Sequence, residues 1–254
     1  GMRFGCCRHV LVMNPDPKRI ACCIYSRRAR CGPTTFERLP MFTRRQMIAT
    51  LDNLVTSALV GPAFAAPSEW DSWDAQVTPA NFDLGSTNPW GLHPRFLPQQ
   101  VTANANLRPG DIHVDAVARY LYHIQADGTA MRYGVAIGRD GLYEPGVYTI
   151  RRKSKWPRWT PTPAMIEREP EKYARWEEGM PPGPANALGS RALYLYVGNR
   201  DTYLRIHGTP APRSIGTRAS SGCVRMVMPH INTLYDQVDT GVTAYLYPTE
   251  GGSL

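Results

Sequence analysis

Two short stretches hold residue types that can do covalent chemistry. Ala219-Ser220-Ser221-Gly222-Cys223-Val224-Arg225-Met226 contains the only cysteine after Cys31, and Ile206-His207-Gly208-Thr209 places a histidine sixteen residues before it. Cysteine attacks as the thiolate, and a free thiol with a pKa of about 8.5 is mostly protonated near neutrality. A histidine in contact can take that proton and later return it to a leaving amine. The pair therefore reads as a nucleophile, Cys223, and its base, His207. Gly222 allows a tight backbone turn, so that the amides of Ser221, Gly222 and Cys223 can converge on one point as an oxyanion hole. The base needs an orienting acceptor. No Asp or Glu stands near either stretch, so a backbone carbonyl around Gly208 is expected. Arg225 suits a substrate carboxylate through a charge-assisted pair. The bland alternative is a small buried cysteine and a satisfied polar histidine.

Charge and cysteine usage set these stretches in an exported body. The 254 residues carry a formal net charge of +8, which invites a nucleic-acid reading. Residues 1–65 hold ten of the 29 Lys+Arg and three of the 21 Asp+Glu, which leaves 19 basic and 18 acidic residues beyond them. The basicity thus belongs to the leader, no basic stripe is expected on the body, and no nucleic-acid partner is expected. Cys6, Cys7, Cys22, Cys23 and Cys31 lie in the first 31 residues without C-x-x-C spacing or histidines at finger spacing, so no metal or other cofactor is expected. Residues 1–40 read as an unstructured upstream extension. Residues 41–65 read as an export signal, with paired Arg44-Arg45, an apolar run strongest from Leu54 to Phe64, and Ala63-Phe64-Ala65 as cleavage site. The paired arginines fit a twin-arginine signal, and an ordinary secretory signal fits the same residues. The run is too short to span a bilayer, so stable membrane insertion is not expected.

The elements that must position the pair read mainly as β. Residues 66–109, punctuated by six prolines, read as an arm or linker whose Trp70, Trp73 and Trp90 pack on the domain or bind a polymer. From Asp111 to Ile150 short apolar-alternating runs separated by Asp127-Gly128 and Asp140-Gly141 predict an antiparallel meander in a sandwich or barrel. Residues 151–189 interrupt it with a Pro- and Trp-rich insertion, read as a lid or binding loop around a short charged helix at 167–178. Strands resume at 191–197 and 203–207, so His207 ends a strand. Pro229 starts a helix through Val238 with Ile231, Leu234, Tyr235 and Val238 on one face, and 242–247 closes as a last strand.

The combination of Ile206-His207-Gly208-Thr209 with Ser220-Ser221-Gly222-Cys223-Val224-Arg225-Met226 resembles the L,D-transpeptidase catalytic domain of the YkuD or ErfK type. The likeness extends to the Trp156-to-Pro161 segment, Pro184-to-Gly189 and Leu234-to-Val238, and covers residues 110–248 as one catalytic domain, with 249–254 as a tail. The resemblance implies a mostly β fold with a lid over the cleft and one C-terminal helix. It implies Cys223 as nucleophile, His207 as base, and oxyanion amides near Ser221, Gly222 and Cys223. It implies acyl transfer on peptidoglycan stem peptides in the periplasm of a Gram-negative-type bacterium, with carbapenem-type β-lactams as inhibitors. A side-chain amine, water or an envelope protein can serve as acceptor, giving a cross-link, a carboxypeptidase or a tether. Many members carry a second histidine directly before the Gly-Cys pair, where this chain has Ser221. Papain-like and NlpC-type peptidases place the cysteine before the histidine, the reverse of the order here. A non-catalytic wall-binding module is the alternative of another class.

Overall fold

The computed structural model describes residues 68–249. The upstream extension, the export signal, the five leader cysteines and the tail beyond Thr249 lie outside the described residues. Eleven strands are present among those described: β1 (Gln99–Thr102), β2 (Ile112–Asp115), β3 (Tyr120–Ile124), β4 (Thr129–Gly134), β5 (Ile137–Gly138), β6 (Gly146–Lys155), β7 (Arg191–Val197), β8 (Arg200–Thr209), β9 (Arg218–Ser220), β10 (Val224–Val227) and β11 (Thr243–Leu246). The helices are α1 (Glu69–Val77), α2 (Pro163–Arg168), α3 (Pro170–Tyr173) and α4 (Met228–Gln237).

Nine strands form one mixed sheet in the order β1-β4-β3-β2-β11-β6-β7-β8-β10, and β5 and β9 pair separately. The meander β2-β3-β4 is antiparallel, with the expected turn at Gly128, whose φ is 79°. Two pairings in the main sheet, β2 with β11 and β8 with β10, are parallel. Parallel neighbours need a crossover connection. Residues 210–223 supply it between β8 and β10. β11 returns from the far end of the chain to lie between β2 and β6, which makes it the strand that joins the two halves of the sheet.

The core lies on one face of β6, β7, β8 and β10. Leu193, Leu195, Ile206, Val224 and Met226 meet Ile231, Leu234 and Val238 there. α4 supplies Ile231 and Leu234, and its apolar residues recur at helical spacing, so a single face is removed from water.

Residues 66–109 are more than the arm or linker expected from their prolines. Ser68 caps α1 with a reciprocal pair of bonds: the Asp71 amide donates to Ser68 Oγ at 3.3 Å, and the Ser68 amide donates to the Asp71 carboxylate at 2.8 Å. Asp74 receives both guanidinium nitrogens of the buried Arg191, at 2.6 and 2.9 Å. Trp73 meets Trp156 edge-on at 5.3 Å. Further along, Leu92 and Phe96 pack with Ala136, Ile215 and Val227, and β1 extends the sheet on β4. Apolar side chains between the prolines make the segment part of the body.

The insertion between β6 and β7 differs from expectation in its helix. Instead of one charged helix at 167–178 there are α2, α3 and a 3-10 turn at Ala174–Trp176. Pro170 lacks an N–H and forces Glu169 out of helical geometry, to φ −141° and ψ 67°, which divides the helix there.

Candidate active site

β8 and β10 run side by side with Val224 opposite Ile206 and Arg225 opposite His207. Side chains alternate along a strand. Ile206, Val224 and Met226 therefore enter the core, and Arg205, His207, Cys223 and Arg225 share the opposite face. They line a cleft of about 760 Å³, a volume within the usual range for small-molecule sites. The sheet is its floor. Trp159, Met165, Tyr173 and Trp176 of the insertion line it as well, which fits the lid reading better than a satellite core. Trp156 alone is sealed off, at 2% exposure.

His207 is buried, and its Nδ1 lies 2.6 Å from the Gly208 carbonyl oxygen. A carbonyl only accepts, so Nδ1 carries the proton and Nε2 presents a bare lone pair. The backbone carbonyl expected near Gly208 thus stands where a carboxylate orients the base in a Ser-His-Asp triad. Burial pushes the His207 pKa down to about 3, aided by Arg225 and Arg205, and backbone hydrogen bonds to Gly208 and Leu188 oppose this without overcoming it. The imidazole is therefore neutral across the neutral range.

Cys223 is half-buried and has no disulfide partner. Burial raises its pKa above the ordinary thiol value, against the lowering influence of Arg205 and Arg225. Its thiol donates to the Tyr203 carbonyl at 3.7 Å, a bond available only to the protonated sulfur. Thiol and imidazole are therefore both held neutral. Tyr203 holds a left-handed φ of 62°, a conformation that costs a non-glycine residue about 1 kcal/mol or more.

Gly222 has a φ of 127°, and a Cβ there would meet the Leu142 carbonyl oxygen at 3.0 Å, which explains glycine next to the thiol. Its amide is not free as expected for an oxyanion donor, because it donates to Ser220 Oγ at 3.2 Å. The Ser220 hydroxyl in turn donates to the Cys223 carbonyl, so a side chain within the motif competes for the turn's backbone groups. Ser221 Oγ lies 3.0 Å from the Tyr173 hydroxyl. The residue directly before Gly222 is thus tied to the lid rather than to the base. Arg225 is half-buried, its Nε has no hydrogen-bond partner, and it has no carboxylate partner among the described residues.

The structure brings Cys223, His207, Arg225, Ser221 and Gly208 together, and it adds residues absent from the sequence-based set. Arg152 stands opposite Tyr194, and Tyr194 opposite Arg205. Extending the β8–β10 register by one step sets Cys223 beside Arg205. Arg152, Tyr194, Arg205 and Cys223 therefore form a row across four strands, all lining the cleft. Counting back by two from His207 finds Arg205 and Tyr203 in the sequence. Nothing local to the sequence marks Tyr173 or Arg152.

Among the described residues no cluster of three or more His, Cys, Asp or Glu could hold a metal ion, and no helix is long and apolar enough to cross a membrane.

The family model for the YkuD L,D-transpeptidase catalytic domain matches residues 109–246, more than half of the chain. The chain belongs to this family. It is 33% identical over 147 residues to "Probable L,D-transpeptidase ErfK/SrfK" of Escherichia coli (strain K12), covering 57% of this chain and 46% of that one. The chain spans about half the length of most of the curated relatives it matches. A solved structure titled "Probable carnitine operon oxidoreductase caia" from Brucella melitensis is 46% identical, with 66% of this chain and 97% of that chain covered and a TM-score of 0.43. L,D-transpeptidase 3 from Mycobacterium tuberculosis, solved with a faropenem-derived adduct, is 16% identical, with 54% and 59% covered and a TM-score of 0.41. This YkuD-family domain is mostly β, with a mixed sheet and few helices.

The fold buries His113, His207 and His230, and a pH dependence of stability follows. His113 is pushed down to about 4, and His207 and His230 to about 3, each mainly by burial. In the unfolded chain these side chains bind protons near pH 6.5, which the folded state refuses. Stability is therefore full above that value and is lost as pH falls through 6.5 towards 4 and 3. The expected melting temperature is level from about pH 8 to 7 and declines steadily below 6.5. A level melting temperature down to about pH 4 contradicts the neutral burial of these rings.

Proposed function

We propose that the chain is a peptidoglycan L,D-transpeptidase that works through Cys223 and His207. The single observation that supports the reading is that His207 on β8 and Cys223, directly before the parallel β10, line one cleft, with the His207 Nδ1 bonded to the Gly208 carbonyl. His207 Nε2 accepts the thiol proton as the sulfur attacks the carbonyl of the diamino acid at position three of a tetrapeptide stem. A carbon–sulfur bond forms, and the bond to the terminal D-alanine breaks. The proton passes from His207 to the departing amine, and a thioester remains on Cys223. A side-chain amine of a second stem then attacks the thioester, loses a proton to His207 and releases the sulfur, giving a cross-link between third-position residues.

Backbone amides at Ser221 and Cys223 serve as oxyanion donors, joined by that of Gly222 if its bond to Ser220 is exchanged. Arg225 binds a donor carboxylate. Residues 41–65 direct export to the periplasm, and residues 110–248 act as the catalytic domain. No nucleic acid, membrane insertion, metal or cofactor takes part in this reading.

Incubation with a defined tetrapeptide donor, followed by mass analysis, tests it. The expected products are free D-alanine, a thioester adduct at Cys223 and a dimer of stems, and a carbapenem is expected to acylate the same sulfur. Tripeptide without dimer assigns the site to a carboxypeptidase, and a stem joined to an envelope protein assigns it to a tether. A protein that sediments with peptidoglycan and leaves Cys223 unmodified by both donor and carbapenem is a binding module, and the enzyme reading then fails.

A further inference from the structure

Charge around the cleft is far out of proportion to the body that carries it. Beyond residue 65 the chain has 19 basic and 18 acidic residues, whereas the cleft is lined by seven cations and one carboxylate, Glu144. Three of the cations are matched among the described residues. Arg205 is gripped by Asp201 at 2.6 and 2.9 Å, and Arg168 and Lys172 share Glu169 at 3.7 and 3.6 Å. Arg152, Arg158, Arg175 and Arg225 have no carboxylate partner among the described residues. Arg158 donates to the neutral Glu178 carbonyl. Arg152 and Arg175 lie over the faces of Tyr194 and Trp176, at 4.2 and 5.2 Å, which orients each guanidinium and leaves its hydrogen-bonding edge available. Like charges gathered in one cleft repel, and a bound anionic ligand relieves that cost.

The row Arg152-Tyr194-Arg205-Cys223 gives these cations a direction. Three inter-strand spacings put the backbone of Arg152 about 14 Å from that of Cys223, the span of about four extended residues. A stem peptide whose cleaved bond sits at Cys223 and whose chain lies across the strands extends about 10 Å towards Arg152 with its three residues on that side, and the long Arg152 side chain covers the remainder.

We propose that the cleft selects donors by their free carboxylates, with Arg152 and Arg175 as specificity-determining residues. The preferred donor is a peptide with carboxylates on both its second and third residues, used over the same peptide bearing amides there. This inference rests on the transpeptidase reading of the site.

The test compares kcat/KM for a tetrapeptide donor with both carboxylates free and for the isosteric peptide with both as primary amides. One charge-assisted hydrogen bond is worth roughly 1.5–3 kcal/mol, so the free form is expected to be favoured by about tenfold or more, chiefly through KM. Arg152→Gln or Arg175→Gln is expected to bring that ratio towards one, and added salt is expected to shrink it in the wild-type protein. A wild-type ratio near one, or a ratio that neither variant moves, overturns the proposal. If neither donor is turned over, the transpeptidase reading fails, and the inference is then judged on binding. Titrating each peptide into the Cys223→Ala protein and into the wild type, followed by the fluorescence of Trp159 and Trp176 at the cleft, is expected to show tighter binding of the free form. Equal affinities overturn the inference on their own.

Discussion

Replacing Cys223 by alanine is expected to abolish cross-linking of purified stem peptides and to remove the thioester adduct, and His207→Ala is expected to lower turnover by about 10³-fold or more. The two losses have different structural accompaniments. Cys223 is half-buried and its sulfur makes one long bond, to the Tyr203 carbonyl, so its removal leaves the fold nearly untouched. His207 is buried and is the partner of the Gly208 carbonyl. Its removal strands that oxygen, at a cost of about 1–3 kcal/mol. Melting temperatures separate the chemical loss from the structural one, and a carbapenem reports on the sulfur independently. Because both groups are neutral at rest, the imidazole must act before the sulfur becomes a nucleophile. His207→Ala is therefore expected to slow carbapenem acylation as well as turnover, and full activity in either variant sinks the mechanism.

A single methyl group some distance along the chain is expected to have the next largest effect. Gly189 has a φ of 62°, and a Cβ there would lie 2.7 Å from the carbonyl carbon of Gly208 and 3.0 Å from its oxygen. That oxygen fixes the tautomer and orientation of His207. Gly189→Ala must displace either the end of the lid insertion or the backbone that holds the base. A misplacement of about 1 Å can cost on the order of 10²-fold in rate. Loss of kcat by 10- to 100-fold is the expected result, with about 1–3 kcal/mol of destabilisation from overpacking and strain. Gly198→Ala is the control. Its φ of 58° is equally left-handed, but nothing lies within 4 Å of the added carbon. It is expected to lose a little stability and no activity. Equal behaviour of the two variants removes the argument from contact with Gly208.

Much of the site could be read from the sequence because its parts follow local rules. β7 matches the strand expected at 191–197, β8 contains the one expected at 203–207 and runs on past His207 to Thr209, and α4 starts one residue before the helix marked by Pro229. What escaped depends on distant partners. β10 is four residues long and owes its existence to β8, so no periodicity announces it. Ser68 and Asp71 do spell a helix start, but the prolines that follow hid it behind the look of a linker. Charge misled in another way. Near-neutrality of the body predicts no basic stripe, yet a balanced count says nothing of how the two signs are shared out in space. Arg152, Arg175 and Arg225 lie far apart in sequence and meet only around the cleft.

The position of β11 bears on how this molecule comes into being. Until Thr243–Leu246 is available, β2 and β6 each present an unpaired edge, and the strands that position His207 and Cys223 belong to a half-sheet not yet joined to the meander. Ribosomal synthesis delivers that four-residue closure after every other strand of the sheet. Assembly of the whole is therefore a late, non-local event, slow in proportion to the chain that must be looped before it. Through that interval the nascent polypeptide exposes two open strand edges, which is the state a chaperone would meet.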